Sequence, residues 1–169
     1  MGLFAALGVL SKYLFIYLIS GIIVFYIFKL RQKIFFNYKC LISMLIFLLV
    51  LSPHFMWLAE NDFKTIAYGF KRTGLEDSNF LNHLLYPLKF TLKQIGILIP
   101  FFGLLILIIS KFKFRFNFRD EKLVFLMSVT LLPILLMLLT SLILGANIRT
   151  MWMTPFYLFF GLLFIYIFE

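Results

Sequence analysis

The most constraining feature of this sequence is an uncharged run over residues 40–58, CLISMLIFLLVLSPHFMWL. A helix of that length rises about 28 Å, close to the thickness of the hydrocarbon core of a bilayer. Over the whole chain, 63% of the residues are hydrophobic and only 14% are charged. A water-soluble domain of 169 residues would need a far more polar surface. The sequence therefore predicts an all-α, polytopic membrane protein, because helices satisfy their own backbone hydrogen bonds inside lipid.

About five transmembrane helices are predicted, and the whole chain, 1–169, is interpreted as a single membrane domain. The apolar segments that define these spans are 13–28, 40–58, 95–110, 123–145 and 152–168. A shorter apolar segment, at 2–12, precedes them and is interpreted as the last half of a truncated membrane helix. Ser11, Lys12 and Tyr13 would then turn the chain into the first complete span.

The charges in the connecting loops predict how the chain is oriented. Loop 29–39 carries four cations and no acid, and loop 111–122 carries five cations and two acids. Both loops should be cytoplasmic, because short basic loops remain inside. Loop 59–94 has five cations and four acids, so we expect it outside, together with the short turn 146–151. These loops account for the net charge of +9, and nucleic acid is not predicted as a partner.

Two stretches between the spans have their own patterns. The outer loop 59–94 predicts two interfacial helices: Gly74 would end the first, Asp77 or Ser78 would cap the second, and Pro87 would interrupt it. The run KFKFRFNFR at 111–119 alternates cations with phenylalanine. That period of two is typical either of a half-buried strand or of a segment lying in the membrane interface.

Four charged residues near the predicted outer face are candidates for binding a substrate. Lys12 offers a point charge for a lipid phosphate, or it is a lysine that snorkels to the interface. Glu60 and Asp62 follow span 40–58 and either border a sugar or metal site, work as acid or base, or cap a surface helix. Arg149 either grips a phosphate with two hydrogen bonds or contacts lipid headgroups.

The remaining polar groups predict little chemistry. His54, inside span 40–58, is interpreted as a helix–helix hydrogen-bonding group rather than a ligand. Cys40 is the one cysteine, so no internal disulfide is possible, and it is interpreted as a small apolar residue near the interface. The sequence contains no glycine-rich phosphate loop, no Cys/His metal spacing and no nucleophile elbow. Neither a metal nor a cofactor is predicted.

Three segments together resemble a known family. They are GLFAALGVLSKY at 2–13, PHFMWLAENDF at 53–63 and GANIRTMWMTPFYLFFGL at 145–162. They resemble the C-terminal part of the membrane domain of bacterial family-39-like glycosyltransferases, which have the GT-C fold. The segment YPLKFTLKQIGILIP at 86–100 also suits that family, so the resemblance covers most of the chain.

The resemblance implies transfer of a sugar from a polyprenyl-phosphate carrier to a lipid, glycan or protein acceptor. The reaction would take place on the outer side of the bacterial inner membrane. By analogy, Lys12 would contact the carrier phosphate, Glu60 and Asp62 would border the sugar or acceptor cavity, and Arg149 would lie near the phosphate or an outer gate.

One part of the family pattern has no counterpart here. In the family the principal catalytic aspartate lies in a long outer loop after the first membrane helix, upstream of the matching region. The resemblance therefore implies a fragment, or one chain of a two-chain enzyme whose companion supplies the missing helices. The alternative function is a non-catalytic polytopic membrane protein, either a remnant or a small assembly or transport subunit.

Overall fold

The described part of the chain is helical throughout. The computed structural model describes residues 1–30, 38–74, 79–109 and 116–168, and within them it contains no β-strand. This confirms the predicted all-α class. The helices, in chain order, are α1 Gly2–Ser11, α2 Phe15–Leu30, α3 Tyr38–Glu60, α4 Lys64–Thr73, α5 Asn82–Ile109, α6 Glu121–Leu144 and α7 Phe160–Ile167, with two 3₁₀ turns at Thr150–Trp152 and Thr154–Tyr157.

Three of these helices are long and apolar enough to cross a membrane: Tyr38–Glu60, Asn82–Leu107 and Glu121–Leu144. The structure thus supports three of the five expected spans by length and composition. The expected first span, 13–28, corresponds to α2, whose 16 residues rise only about 24 Å.

The expected last span, 152–168, is not confirmed, because the segment does not form a helix long enough to span a membrane. The chain forms the two 3₁₀ turns first, and α7 is an eight-residue helix that begins only at Phe160. Pro155 occupies the start of the second 3₁₀ turn, where its missing N–H is tolerated.

The segment between α3 and α5, expected as the outer loop 59–94, is shorter than predicted, because α5 begins at Asn82. Helix α4 ends at Thr73 and is followed by Gly74 at a φ of +67°, so glycine ends the first short helix as expected. The predicted caps Asp77 and Ser78 lie outside the described residues. The prediction that Pro87 interrupts the next helix is wrong, because Pro87 is buried within α5. Packing of the proline ring compensates for the one backbone bond that the helix loses.

Parts of both predicted cytoplasmic loops lie outside the described residues. These are 31–37 in the first loop and 111–115 in the second. The alternatives offered for the run 111–119, a strand or an interfacial segment, therefore remain predictions. At the end of that run Phe116 and Phe118 are described, and both are exposed, with their rings in edge-to-face contact at 4.6 Å.

The described residues form two compact units, Met1–Arg72 and Thr73–Glu169. In the N-terminal unit α1 packs along α3 in the same direction. At one end of the pair, a Cβ added to Gly2 would lie 1.9 Å from the Ser43 carbonyl oxygen, and at the other end Tyr13 bonds to His54. Gly2 and Ala6 are both buried, and this small-xxx-small spacing lets two membrane helices approach closely.

The C-terminal unit is organised around α6. Its buried positions recur every three or four residues: Leu123, Leu126, Val129, Thr130, Pro133, Met137 and Ser141. Leu123 and Leu126 pack against Leu163 and Ile167 of α7 in one apolar cluster. Gly145 ends α6 with a φ of +63°, a left-handed conformation that glycine adopts without a steric penalty.

A hydrogen-bonded carboxylate joins the start of α6 to α7. Asp120 caps α6 by accepting a bond from the Lys122 backbone N–H at 3.0 Å, and the Tyr166 hydroxyl donates to its other oxygen. The bond from Tyr166, followed by the one from Lys122, lowers the pKa of Asp120 below its ordinary value of 3.8. These bonds favour the charged carboxylate, so they stabilise the fold only while Asp120 is ionised.

This arrangement predicts a difference in acid stability between the wild type and Asp120→Asn. Because the folded-state pKa is depressed, the stabilisation is complete above the unfolded-state pKa and is lost as the pH falls through the folded-state value. Asparagine still caps a helix but has no carboxyl group to titrate. The gap in melting temperature between the two proteins should therefore be largest near neutral pH and should close below about pH 4. A gap that stays constant down to pH 3 would contradict this role.

Candidate functional site

The turn between α1 and α2 positions Lys12. Helix α1 ends at Ser11, and Lys12 has an extended backbone with a φ of −159°. Its N–H donates to the Gly8 carbonyl at 3.0 Å, and its own carbonyl accepts from Phe15 at 2.9 Å. The predicted turn at residues 11–13 is thus confirmed. Both bonds fix the backbone of Lys12, whose side chain is partly exposed.

The turn between α3 and α4 positions the acidic pair. The Phe63 N–H donates to the Leu58 carbonyl at 2.9 Å and closes the end of α3 in the manner of a Schellman motif. Asp62 occupies the left-handed position of that motif, with a φ of 52°, and Phe63 follows with a φ of 53°. A left-handed conformation costs a non-glycine residue about 1–2 kcal/mol.

Both acids lie where local helix energetics do not favour them. Glu60 is the last residue of α3, and the negative end of the helix dipole disfavours a carboxylate there. Asp62 fills a position that glycine prefers. For α4 the position is different: no acidic residue lies in its first turn, but Asp62 precedes the helix by two residues, where a carboxylate favours the dipole. The expectation that these acids support a surface helix therefore stays a prediction. Residues that oppose local preferences are characteristic of functional sites.

Tyr13 connects the two turns. Its hydroxyl lies 2.8 Å from His54 Nε2 of α3 and 3.0 Å from Thr65 Oγ1 of α4, within hydrogen-bonding distance of both. The expectation that His54 forms a hydrogen bond between segments is confirmed. Sequence reasoning missed Tyr13 and Thr65, because their partners lie 41 and 52 residues away along the chain.

The pairing of α1 with α3 sets the spacing of the charged groups. The offset of 41 residues between Tyr13 and His54 recurs in the approach of Gly2 to Ser43. Lys12 therefore lies level with Pro53, seven residues before Glu60, which corresponds to about 10 Å along α3. We call this region the N-terminal corner, defined by Lys12, Tyr13, His54, Glu60 and Asp62. It brings a cation and two carboxylates to the same end of the α1–α3 pair.

Arg149 belongs to the C-terminal unit and is positioned by the segment that follows α6. Ser141 Oγ donates to the Ala146 carbonyl at 2.7 Å, and Ala146 and Ile148 are buried. Arg149 itself is exposed and precedes the 3₁₀ turn Thr150–Trp152. The buried residues Ala146 and Ile148 therefore anchor a short segment on which the Arg149 side chain is exposed.

The predicted site residues keep their polar groups free for a ligand. Within the part of the chain that the structure describes, the side chains of Lys12, Glu60, Asp62 and Arg149 form no hydrogen bond or ion pair with the protein. Among those same residues, no three His, Cys, Asp or Glu side chains are grouped so that they would hold a metal ion. The ammonium and guanidinium groups can bind an anion, and the carboxylates can accept hydrogen bonds from hydroxyl groups.

A second polar contact lies at the end of α6. His83 Nδ1 lies 2.9 Å from the Leu142 carbonyl, one of the last carbonyls of that helix. Phe80, His83, Leu84 and Leu142 line an open, mainly apolar depression of about 400 Å³. The imidazole satisfies a carbonyl that the helix end leaves without an intrahelical partner, and this structural role accounts for its position.

The chain matches no family model, no curated protein and no solved structure.

Proposed function

We propose that this chain forms part of a membrane glycosyltransferase that takes its sugar from a polyprenyl-phosphate carrier. The transfer would take place at the outer face of a bacterial inner membrane, to a lipid, glycan or protein acceptor. The observation that carries the proposal is the bridge from Tyr13 to His54 and Thr65. It joins the turn that holds Lys12 to the turn that holds Glu60 and Asp62.

Each charged group has a role that follows from its chemistry. The Lys12 ammonium provides a charge and three donors for the carrier phosphate. The carboxylates of Glu60 and Asp62 accept hydrogen bonds, and sugar hydroxyls are suitable donors. For Arg149, whose planar guanidinium suits phosphate oxygens, the resemblance implies a role near a phosphate or an outer gate.

The resemblance also suggests a partner. In family-39-like enzymes the principal catalytic aspartate belongs to an outer loop that matches none of the helices described above. We therefore assign residues 1–169 to carrier and sugar binding, and we propose that the catalytic loop lies outside them, either in a longer polypeptide or in a companion chain. Catalytic residues are accordingly not assigned to Lys12, Glu60, Asp62 or Arg149.

Profiling of envelope glycolipids in a deletion strain tests this function. We expect a sugar-bearing product to disappear on deletion and to return with the wild-type gene. Lys12→Ala should restore at most about a tenth of it, because a hydrogen bond to a charged group contributes about 1.5–3 kcal/mol. Lys122→Ala, which removes an exposed lysine at the start of α6, serves as the control and should restore the product fully. An unchanged glycolipid profile in the deletion strain would support the non-catalytic alternative instead.

A further inference from the structure

An aromatic stack lies at the centre of the N-terminal corner. The rings of His54 and Trp57 are nearly parallel, with an interplanar angle of 14° and centroids 5.9 Å apart. This separation is within the range of favourable aromatic pairs. Trp57 nevertheless remains 44% exposed. His54 therefore covers part of one side of the indole, and much of the rest of the ring is open.

Hydrogen bonds fix the ring of one member of the stack and the backbone of the other. Tyr13 fixes the imidazole of His54 through Nε2 and is itself within reach of Thr65. The Asn61 side-chain amide donates to the Trp57 carbonyl at 2.9 Å, and the Asn61 N–H reaches the same carbonyl at 3.1 Å. The imidazole fixed in this way gives the indole a positioned surface to stack on, which reduces the conformational freedom that the indole loses when it contacts a ligand.

A carboxylate stands beside the open indole. Glu60 follows Trp57 by three residues on α3, so the two side chains are neighbours on one face of the helix. The Glu60 side chain is exposed. The corner thus combines a flat apolar surface with a hydrogen-bond acceptor at its edge.

We propose that Trp57 is the platform on which the sugar ring of the donor stacks, with Glu60 accepting hydrogen bonds from its hydroxyls. A pyranose has an apolar face of C–H groups, whose partial positive charge suits the negative face of an indole. Its equatorial hydroxyls point outward to the ring edge, where a carboxylate can accept from them. This assignment rests on the proposed function and adds to it the ligand class, a pyranose, and the group that contacts its ring.

Tyr13 acts in this site as a positioning residue. It does not stack on the sugar, but it orients His54, which in turn supports Trp57. Tyr13→Phe keeps the ring and removes only the hydroxyl, so the variant should fold while the platform loses its fixed orientation. Binding of the sugar should weaken severalfold, whereas binding of a carrier without a sugar should not change.

Fluorescence of Trp57 tests the platform directly. The chain has two tryptophans, and Trp152→Phe leaves Trp57 as the single emitter. The full chain is placed in phosphatidylcholine nanodiscs, without glycoside detergents, and titrated with farnesyl phosphate. The same titration is made with farnesyl-phosphate mannose, glucose, galactose and N-acetylglucosamine.

We expect at least one sugar-bearing probe to change the Trp57 emission. That probe should reach half-saturation at a concentration about tenfold lower than farnesyl phosphate does. Glu60→Gln should raise that half-saturation point about tenfold and leave farnesyl phosphate unaffected. If all four sugar-bearing probes behave like farnesyl phosphate alone, Trp57 is a membrane-interface anchor and the platform is overturned.

The two proposals fail separately. A sugar-dependent emission change in a chain whose deletion leaves all glycolipids intact would preserve the platform and reject the transferase. Loss of a glycolipid on deletion, without any sugar-dependent emission change, would preserve the transferase and reject the platform.

Discussion

Replacing Asp62 with glycine should stabilise the N-terminal unit and at the same time reduce sugar transfer at least about tenfold. Asp62 has a φ of 52° at the end of α3, and glycine removes a conformational cost of about 1 kcal/mol. The same substitution removes a carboxylate that we assign to sugar or acceptor hydroxyls. Stability, measured by thermal unfolding in detergent, should therefore rise while glycolipid output in the complemented deletion strain falls.

Asp62→Asn is the matched control for this experiment. Asparagine tolerates the left-handed conformation about as well as aspartate does, so its stability should match the wild type. It lacks the negative charge, so its glycolipid output should fall like that of Asp62→Gly. If both variants retain full output, the carboxylate has no role in transfer, and the position is only a helix end.

Gly2→Ala should separate α1 from α3 and destabilise the N-terminal unit by about 1–3 kcal/mol. The added Cβ would lie 1.9 Å from the Ser43 carbonyl oxygen and 2.8 Å from its carbon. These are backbone atoms, so no side-chain rotation relieves the clash and the helices must move apart. Because Tyr13 lies at the other end of the same helix pair, its bond to His54 should weaken too. Unfolding of the purified protein in an SDS titration measures the decrease in its free energy of unfolding.

Gly69→Ala is the control for this substitution, since it makes the same chemical change in α4. A Cβ at Gly69 meets no atom within 4 Å, and alanine favours a helix by about 0.5–1 kcal/mol over glycine. Stability should stay constant or increase. Equal destabilisation by Gly2→Ala and Gly69→Ala would contradict close packing of α1 on α3.

Hydropathy predicted the long helices well and their ends poorly. The run 40–58 became α3 almost residue for residue, because nothing within it opposes a helix strongly enough. In the segment 152–168 the same criterion did not predict where the helix begins, since the apolar run forms 3₁₀ turns before the short helix α7. Helix α5 shows the opposite error, because buried Pro87 was expected to interrupt a helix that passes through it.

The candidate site was visible in the sequence only as separate charges. Lys12, Glu60 and Asp62 were selected because placing a charged residue at a membrane span costs free energy. Their connection depends on Tyr13, whose two partners lie on different helices. Neither periodicity nor composition predicts a contact across 41 or 52 residues, and the packing of α1 on α3 is what produces it.

Cysteine labelling shows on which side of the membrane the candidate residues lie, and it tests the proposed function most directly. In a Cys40→Ser background, single cysteines at Ser11, Ala59 and Asn147 mark the three charged segments without removing a candidate residue, and all three positions are exposed. Asn117→Cys marks the predicted cytoplasmic loop. We predict that an impermeant maleimide labels the first three positions in spheroplasts and labels position 117 only after lysis. Labelling of position 11, 59 or 147 only after lysis would contradict the outer location that we propose for these segments.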